Sequence, residues 1–232
     1  MRKVGFIGAY DKADLIMYIA KMLTLVNKKV LIVDTTINQK TKYIVPVINP
    51  TISYVTEFED IDIAIGFKTV EDIKKYLGKT ENSDLNYDYI LMDIDIPEAI
   101  ENLDARLNFK NYFVTSFDTY SIKKGLEIIS DMSGTINLTK VLYSKEMIKE
   151  EDDYLNYLSL GYKVVWSEYR IYFPIEMGDQ TAISENQRLS KIKFKNLTSQ
   201  YRESLMYIAE ELLEGENPNI LKKALKTLER GE

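Results

Sequence analysis

The chain has 232 residues, 45% hydrophobic and 28% charged, with a formal net charge of −6. That is long enough to bury a sizeable core, and too acidic for a global field to attract DNA or an anionic membrane. With no cysteine and no histidine, it excludes disulfides, thiolate metal sites, a cysteine nucleophile and the commonest general base.

The opening Arg2-Lys3 leads into a short apolar run that Asp11 interrupts, unlike a secretory signal. No run of about 18 apolar residues is present, so the expectation is a cytoplasmic protein. Residues 4–7 read as a buried strand before Gly8. Leu15, Ile19, Met22, Leu23 and Val26 recur at helical spacing and predict a helix over 13–26. Asp11 and Asp14 are spaced like a capping pair, with Asp11 at the N-cap and Asp14 near N3. After a turn at Asn27-Lys28-Lys29, residues 30–33 form a second strand that ends in Asp34. Two strands joined by such a helix predict a parallel βαβ unit with a right-handed crossover.

Residues 51–67, TISYVTEFEDIDIAIGF, break the alternation with two β-rich runs around Glu59-Asp60. They predict a hairpin, either as an edge extension of the sheet or as a docking element for another chain. In the second case Tyr54, Phe58 and Phe67 are the candidate contacts. Further strands are predicted at 89–92 (ending in Asp93), 112–115, 141–143, 163–166 and 170–173. Helices are predicted at 120–132, 145–158 and 198–213, the last with Tyr201, Leu205, Ile208, Ala209 and Leu212 on one face. Apolar strands alternating with amphipathic helices predict an α/β fold, a doubly wound and mostly parallel sheet of about seven or eight strands. Without a Gly-, Ser- or Pro-rich linker, residues 1–214 read as one domain and 215–232 as a tail.

Residues 4–23, VGFIGAYDKADLIMYIAKML, place a tight loop and a lysine between strand and helix. A phosphate loop has this layout: backbone N–H groups converge on an anion, a lysine neutralises it, and a hydroxyl holds Mg²⁺. Gly8 and Lys12 match it. Phe6 and Asp11 stand where its two glycines belong, and Ala13 where its hydroxyl belongs. Asp34 and Asp93 would both lie at the carboxyl edge of the sheet beside the loop, where open α/β folds bind ligands. Three other readings exist, one of them Asp93 as a phospho-acceptor in a receiver-like domain, which this length and strand order disfavour. Gly5, Gly8 and Asp34 suggest a decayed dinucleotide fingerprint, but its glycine spacing is absent. Alternatively Lys12, Asp34 and Asp93 form a purely structural ion network.

The segments NKKVLIVDTT and YDYILMDIDIP resemble the second-strand and Walker B segments of the ParA/MinD family of deviant-Walker ATPases. Residues 172–213, from YFPIEMGDQ to AEELL, resemble that family's strand–Pro loop, short helix and long closing helix. The resemblance implies a P-loop NTPase-like fold, with Lys12 as the Walker lysine, Asp34 as the first acid after strand two and Asp93 as the Walker B aspartate. The family's signature lysine falls on Ile7 and its second strand-two aspartate on Thr36; both are lost. The resemblance thus implies a non-hydrolysing pseudo-ATPase, similar to the atypical TadZ/CpaE type. Its role would be adaptor or localisation factor for a membrane-associated assembly of pilus or secretion type. Its ligand, if any, would be ATP or ADP with Mg²⁺. Its partners would be a protein and a second copy of itself, with nucleic acid disfavoured. The alternative within the family is an ATP-binding, weakly hydrolysing positioning ATPase.

Ile220, Leu221, Ala224, Leu225 and Leu228 line one face of a predicted terminal helix, with Lys222, Lys223, Lys226 and Arg230 around it. Relatives in the resembled family use such a helix for peripheral membrane contact, which makes Leu221 and Leu225 candidate contacts. Packing on the chain's own domain is the competing expectation, since the helix is short and carries no Trp or Phe.

Overall fold

A computed structural model describes residues 1–47, 51–80, 83–130, 132–145 and 149–231. The apolar runs become strands β1 (Arg2–Ile7), β2 (Val30–Asp34), β3 (Tyr54–Phe58), β4 (Ile61–Ile65), β5 (Tyr89–Ile94), β6 (Lys110–Ser116), β7 (Ile136–Ser144) and β8 (Val164–Pro174). They form one sheet in the order β3-β4-β2-β5-β1-β6-β7-β8. Among the described residues the β3–β4 pair alone is antiparallel.

The central strands are buried on both faces because helices cover both. On one face Val4, Phe6, Ile32 and Tyr112 pack with α1 (Ala13–Thr24), α7 (Met177–Leu189), α8 (Ser199–Leu212) and α9 (Pro218–Gly231). On the other, Ile7, Val33, Met92 and Phe113 pack with α3 (Val70–Tyr76), α4 (Pro97–Asn102), α5 (Thr119–Ser130) and α6 (Lys149–Leu158). A short α2 (Thr41–Ile44) follows β2. This is the doubly wound α/β sheet that uninterrupted apolar strands require.

Several boundaries differ from expectation. The first helix stops at Thr24, where the chain turns through Asn27 at φ 61°. The two strands predicted at 163–166 and 170–173 are one strand. Its register with β7 slips between Leu138, opposite Trp166, and Lys140, opposite Arg170, so the chain between them bulges. The predicted helices at 120–132 and 145–158 reach into residues 131 and 146–148, which lie outside the described residues.

The 51–67 segment is a hairpin on the sheet edge. Glu59 and Asp60 supply its two-residue turn with φ of 55° and 66°, the backbone that matches strand twist. Lys21 of α1 holds that turn by donating to the Glu59 carbonyl at 2.9 Å.

The candidate partner contacts need correction. Tyr54, Phe58 and Phe67 are 5%, 7% and 7% exposed. Strand alternation turns Tyr54 and Phe58 onto the face covered by α1, so these rings belong to the core. Leu221 and Leu225 join the same core, and Arg202 of α8 pairs with Glu229 of α9 at 2.5 Å. The tail packs on the domain through the very side chains proposed to face a partner, as a short amphipathic helix does when an apolar surface lies within reach.

Candidate functional site

The site is assembled where three parallel strands end together. Asp93 of β5 lies opposite Phe6 of β1 on one side and Asp34 of β2 on the other. The chain then leaves β1 through Gly8 and re-enters helix at Ala13. Gly8 has φ 146°, and a Cβ there would sit 2.2 Å from the Val114 carbonyl oxygen of β6. Its N–H donates to the Ile94 carbonyl at 3.0 Å. Glycine is needed here because the loop crosses directly over the strand ends.

Lys12 points back into this crossing. Its ammonium donates to the Gly8 carbonyl at 2.8 Å and lies 2.7 Å from Asp93 Oδ1. The two side chains are 2% and 5% exposed. The contact is an ion pair and not a well-aimed hydrogen bond, because Asp93 Oδ1 has no hydrogen-bond partner of ordinary geometry among the described residues.

Burial pushes the Asp93 carboxyl from 3.8 up to about 7; Lys12 opposes the rise, and the nearby Asp34 adds to it. The sign of the consequence is unusual. Between 3.8 and about 7 the folded protein holds a proton that the unfolded chain has released. Asp93 therefore favours folding at low pH, and its contribution is lost as pH rises through that window. Asp93→Asn should flatten the stability–pH slope there, measured as urea midpoints across the window. A slope unchanged by the substitution rules out a perturbed Asp93.

Asp34 is engaged by its own segment. Its Oδ1 accepts from the Thr36 amide at 3.0 Å and the Thr36 hydroxyl at 2.6 Å, and its Oδ2 from the Thr41 amide at 3.2 Å. Thus Gly8, Lys12, Asp34 and Asp93 do converge, as the sequence predicts. Ile7, at the signature-lysine position of the resembled family, is fully buried.

The expected cap of α1 requires correction. The N-cap position belongs to Lys12, at φ −135° and ψ 8°, and no side chain caps it. Asp11 stands one residue earlier, yet its Oδ1 still accepts from the Ala13 amide at 3.2 Å. Asp14 does not reach back to the loop; its two oxygens accept from Gln187 of α7 at 2.7 and 2.8 Å.

Three residues that matter here carried no local signal. Lys40 pairs with Asp11 and approaches Asp14 at 3.3 Å. Asp95 accepts from the Ile37 amide at 3.0 Å. Gln187 comes from a helix more than half the chain away. All three act through long-range contacts that spacing does not reveal.

A cavity of about 340 Å³ opens beside Lys12, Asp93 and Asp95. A second, of about 320 Å³, lies between Asp14, Tyr143, Gln187 and Tyr201. Tyr10, Asp11 and Lys40 stand in the wall shared by both. Among the described residues no group of three or more carboxylates is placed to hold a metal ion.

No protein-family model and no curated protein matches the sequence. Solved structures do. A chain of the MinC:MinD cell division protein complex of Aquifex aeolicus superimposes with a TM-score of 0.61 at 17% identity, over 93% of this chain and 96% of that one. A ParA family ATPase of Chlorobium tepidum gives 0.59 at 14%, over 93% and 99%. The McdA–ATP complex of Cyanothece gives 0.59 at 10%, over 94% and 98%. At such identities the likeness is one of architecture, and the chain has the P-loop NTPase-like fold of the ParA and MinD ATPases.

Proposed function

We propose that this chain is a ParA/MinD-type protein that does not hydrolyse ATP and serves as an adaptor or localisation factor. The supporting observation is the internal use of the groups that would meet a nucleotide. Lys12 is buried against Gly8 and Asp93, and both oxygens of Asp34 accept hydrogen bonds from Thr36 and Thr41. Ala13 offers no side-chain oxygen to a metal, and Ile7 and Thr36 cannot supply the ammonium and carboxylate of the resembled motifs. These residues do not fit a Mg²⁺–triphosphate, so no hydrolytic step is assigned to them.

A protein that does not cycle still offers surface. Ile37, Tyr43, Ile52, Tyr120 and Met177 are each at least 68% exposed. All stand on segments that leave or enter the carboxyl end of the sheet. Leu107 and Leu160 are as exposed near the amino end, but more of these side chains stand at the carboxyl end, which supports protein docking there, in place of the buried hairpin and tail residues. The partner is a protein, with a nucleotide-independent homodimer across this end. The assembly class, membrane-associated and of pilus or secretion type, is supported by the sequence resemblance alone. Among the described residues no helix is long and apolar enough to cross a membrane.

Calorimetry on pure protein with ATP or ADP, with and without Mg²⁺, and a turnover assay test this reading. The expected results are no turnover and light scattering that is unchanged by ATP. Multiple turnovers that vanish in Lys12→Ala, or a dimer that forms only with ATP, would establish the weakly hydrolysing positioning ATPase instead.

A further inference from the structure

We infer that Asp11 is a built-in ligand: its carboxylate takes a phosphate's place at the amino end of α1, and Lys40 holds it there. The inference rests on the non-hydrolysing reading of this site and gives the amino end of α1 an anion from the chain itself.

The amino end of a helix attracts an anion because its first N–H groups have no partner within the helix. Here the anion is covalently attached. Asp11 Oδ1 accepts from the Ala13 amide, and Asp11 Oδ2 is bound by the Lys40 ammonium. Lys40 also reaches Asp14, whose oxygens are fixed by Gln187. The clasp ties four segments together: the loop after β1, the first turn of α1, the β2–α2 link and α7. Burial works to lower the pKa of Lys40, but the Asp14 and Asp11 carboxylates outweigh it and raise it. The ammonium therefore stays charged in the clasp.

The charge count matters to any incoming phosphate. Two carboxylates flank one ammonium, so the end of α1 presents net negative charge where a phosphate needs positive. Lys12, the other cation of the loop, faces Asp93 and is 3% exposed.

The same carboxylate chemistry orders the link that follows β2. Thr36 and Thr41 amides donate to Asp34, the Ile37 amide to Asp95, and the Gln39 amide to the Thr36 hydroxyl at 3.0 Å. Each anion comes from this chain. The link carries Ile37 and Tyr43, two of the exposed apolar side chains at the carboxyl end. A docking surface held this way keeps its shape whether or not nucleotide is present.

The test compares the native chain with Asp11→Gly and Lys40→Ala, using inorganic pyrophosphate and Mg²⁺–ATP as probes in calorimetry. Hydrogen exchange of the Ile37, Gln39 and Thr41 amides supplies a second readout. Asp11 is about half exposed, so the variants should keep the native circular dichroism. Asp11→Asn, which retains a hydrogen-bond acceptor, stands in if Asp11→Gly does not fold. The expected result is a gain in pyrophosphate affinity of about two- to fivefold in Asp11→Gly, the order that a charge at an exposed helix amino end contributes. Faster exchange of the three amides is expected in both Asp11→Gly and Lys40→Ala. Equal pyrophosphate binding by all three proteins, or exchange that neither substitution changes, overturns the inference. ATP turnover by the native chain would instead sink the functional reading. Inertness in every protein sinks only the built-in ligand.

Discussion

Lys12→Ala should lower the stability of the fold by about 3 kcal/mol, at the low end of the cost of breaking a buried ion pair. For a chain of this size that is a fall in melting temperature of about 6–12 °C. The low end is expected because Asp93, already pushed up to about 7, can take a proton instead of remaining a stranded charge. The loss should therefore be smaller at pH 5 than at pH 8. Lys12→Met combined with Asp93→Leu should recover most of it, since a buried pair replaced by apolar groups of similar volume is often neutral. Urea unfolding of the three proteins at both pH values measures the effect. If Lys12→Ala is as stable as the native protein but loses affinity for a nucleotide, Lys12 serves a ligand and not the fold.

Gly8→Ala should be more damaging still, by about 4 kcal/mol or more, the range reserved for strain that the surroundings cannot absorb. The added Cβ would meet the Val114 carbonyl at 2.2 Å, and φ 146° disfavours any side chain. The obstacle is backbone of a central strand, so relief means separating β1 from β6. Gly78 provides the contrast: it also has positive φ, at 67°, but open space around its missing Cβ. Gly78→Ala should cost only about 1–2 kcal/mol, the penalty of the left-handed backbone by itself. Circular dichroism and urea midpoints separate the two cases. Equal effects would mean that conformation, not the approach of Val114, makes Gly8 necessary.

Much of this molecule is legible in its sequence. The runs ending in Asp34 and Asp93 carry apolar side chains at every position, and only a strand buried on both faces tolerates that. The spacing of Leu15, Ile19, Met22 and Leu23 announced a helix one face of which must be covered, and all four are buried. Because strand ends and helix starts fall at definite points in such a fold, the convergence of Gly8, Lys12, Asp34 and Asp93 could be read before any coordinate. The hairpin at Glu59-Asp60 was legible too, because two β-rich runs flank a short polar turn.

What was not legible depends on which side chains meet across long sequence separations. The capping pair read from Asp11 and Asp14 used local spacing. In the fold both carboxylates turn to Lys40, and Asp14 also to Gln187, a partner 173 residues away. The tail is legible as an amphipathic helix and residues 51–67 as a hairpin, but Tyr54, Phe58, Leu221 and Leu225, expected as partner contacts, are buried in the chain's own core. Periodicity reports that a face must be buried but not whether the cover is a partner or the chain itself. The sequence by itself determined the order of the elements, the layers and the types of residue at the carboxyl edge, because these follow from local propensity and apolar pattern. Only the tertiary structure decided that the edge satisfies its own charges, because the energy of an ion pair depends on burial and distance, and neither exists until the chain has folded.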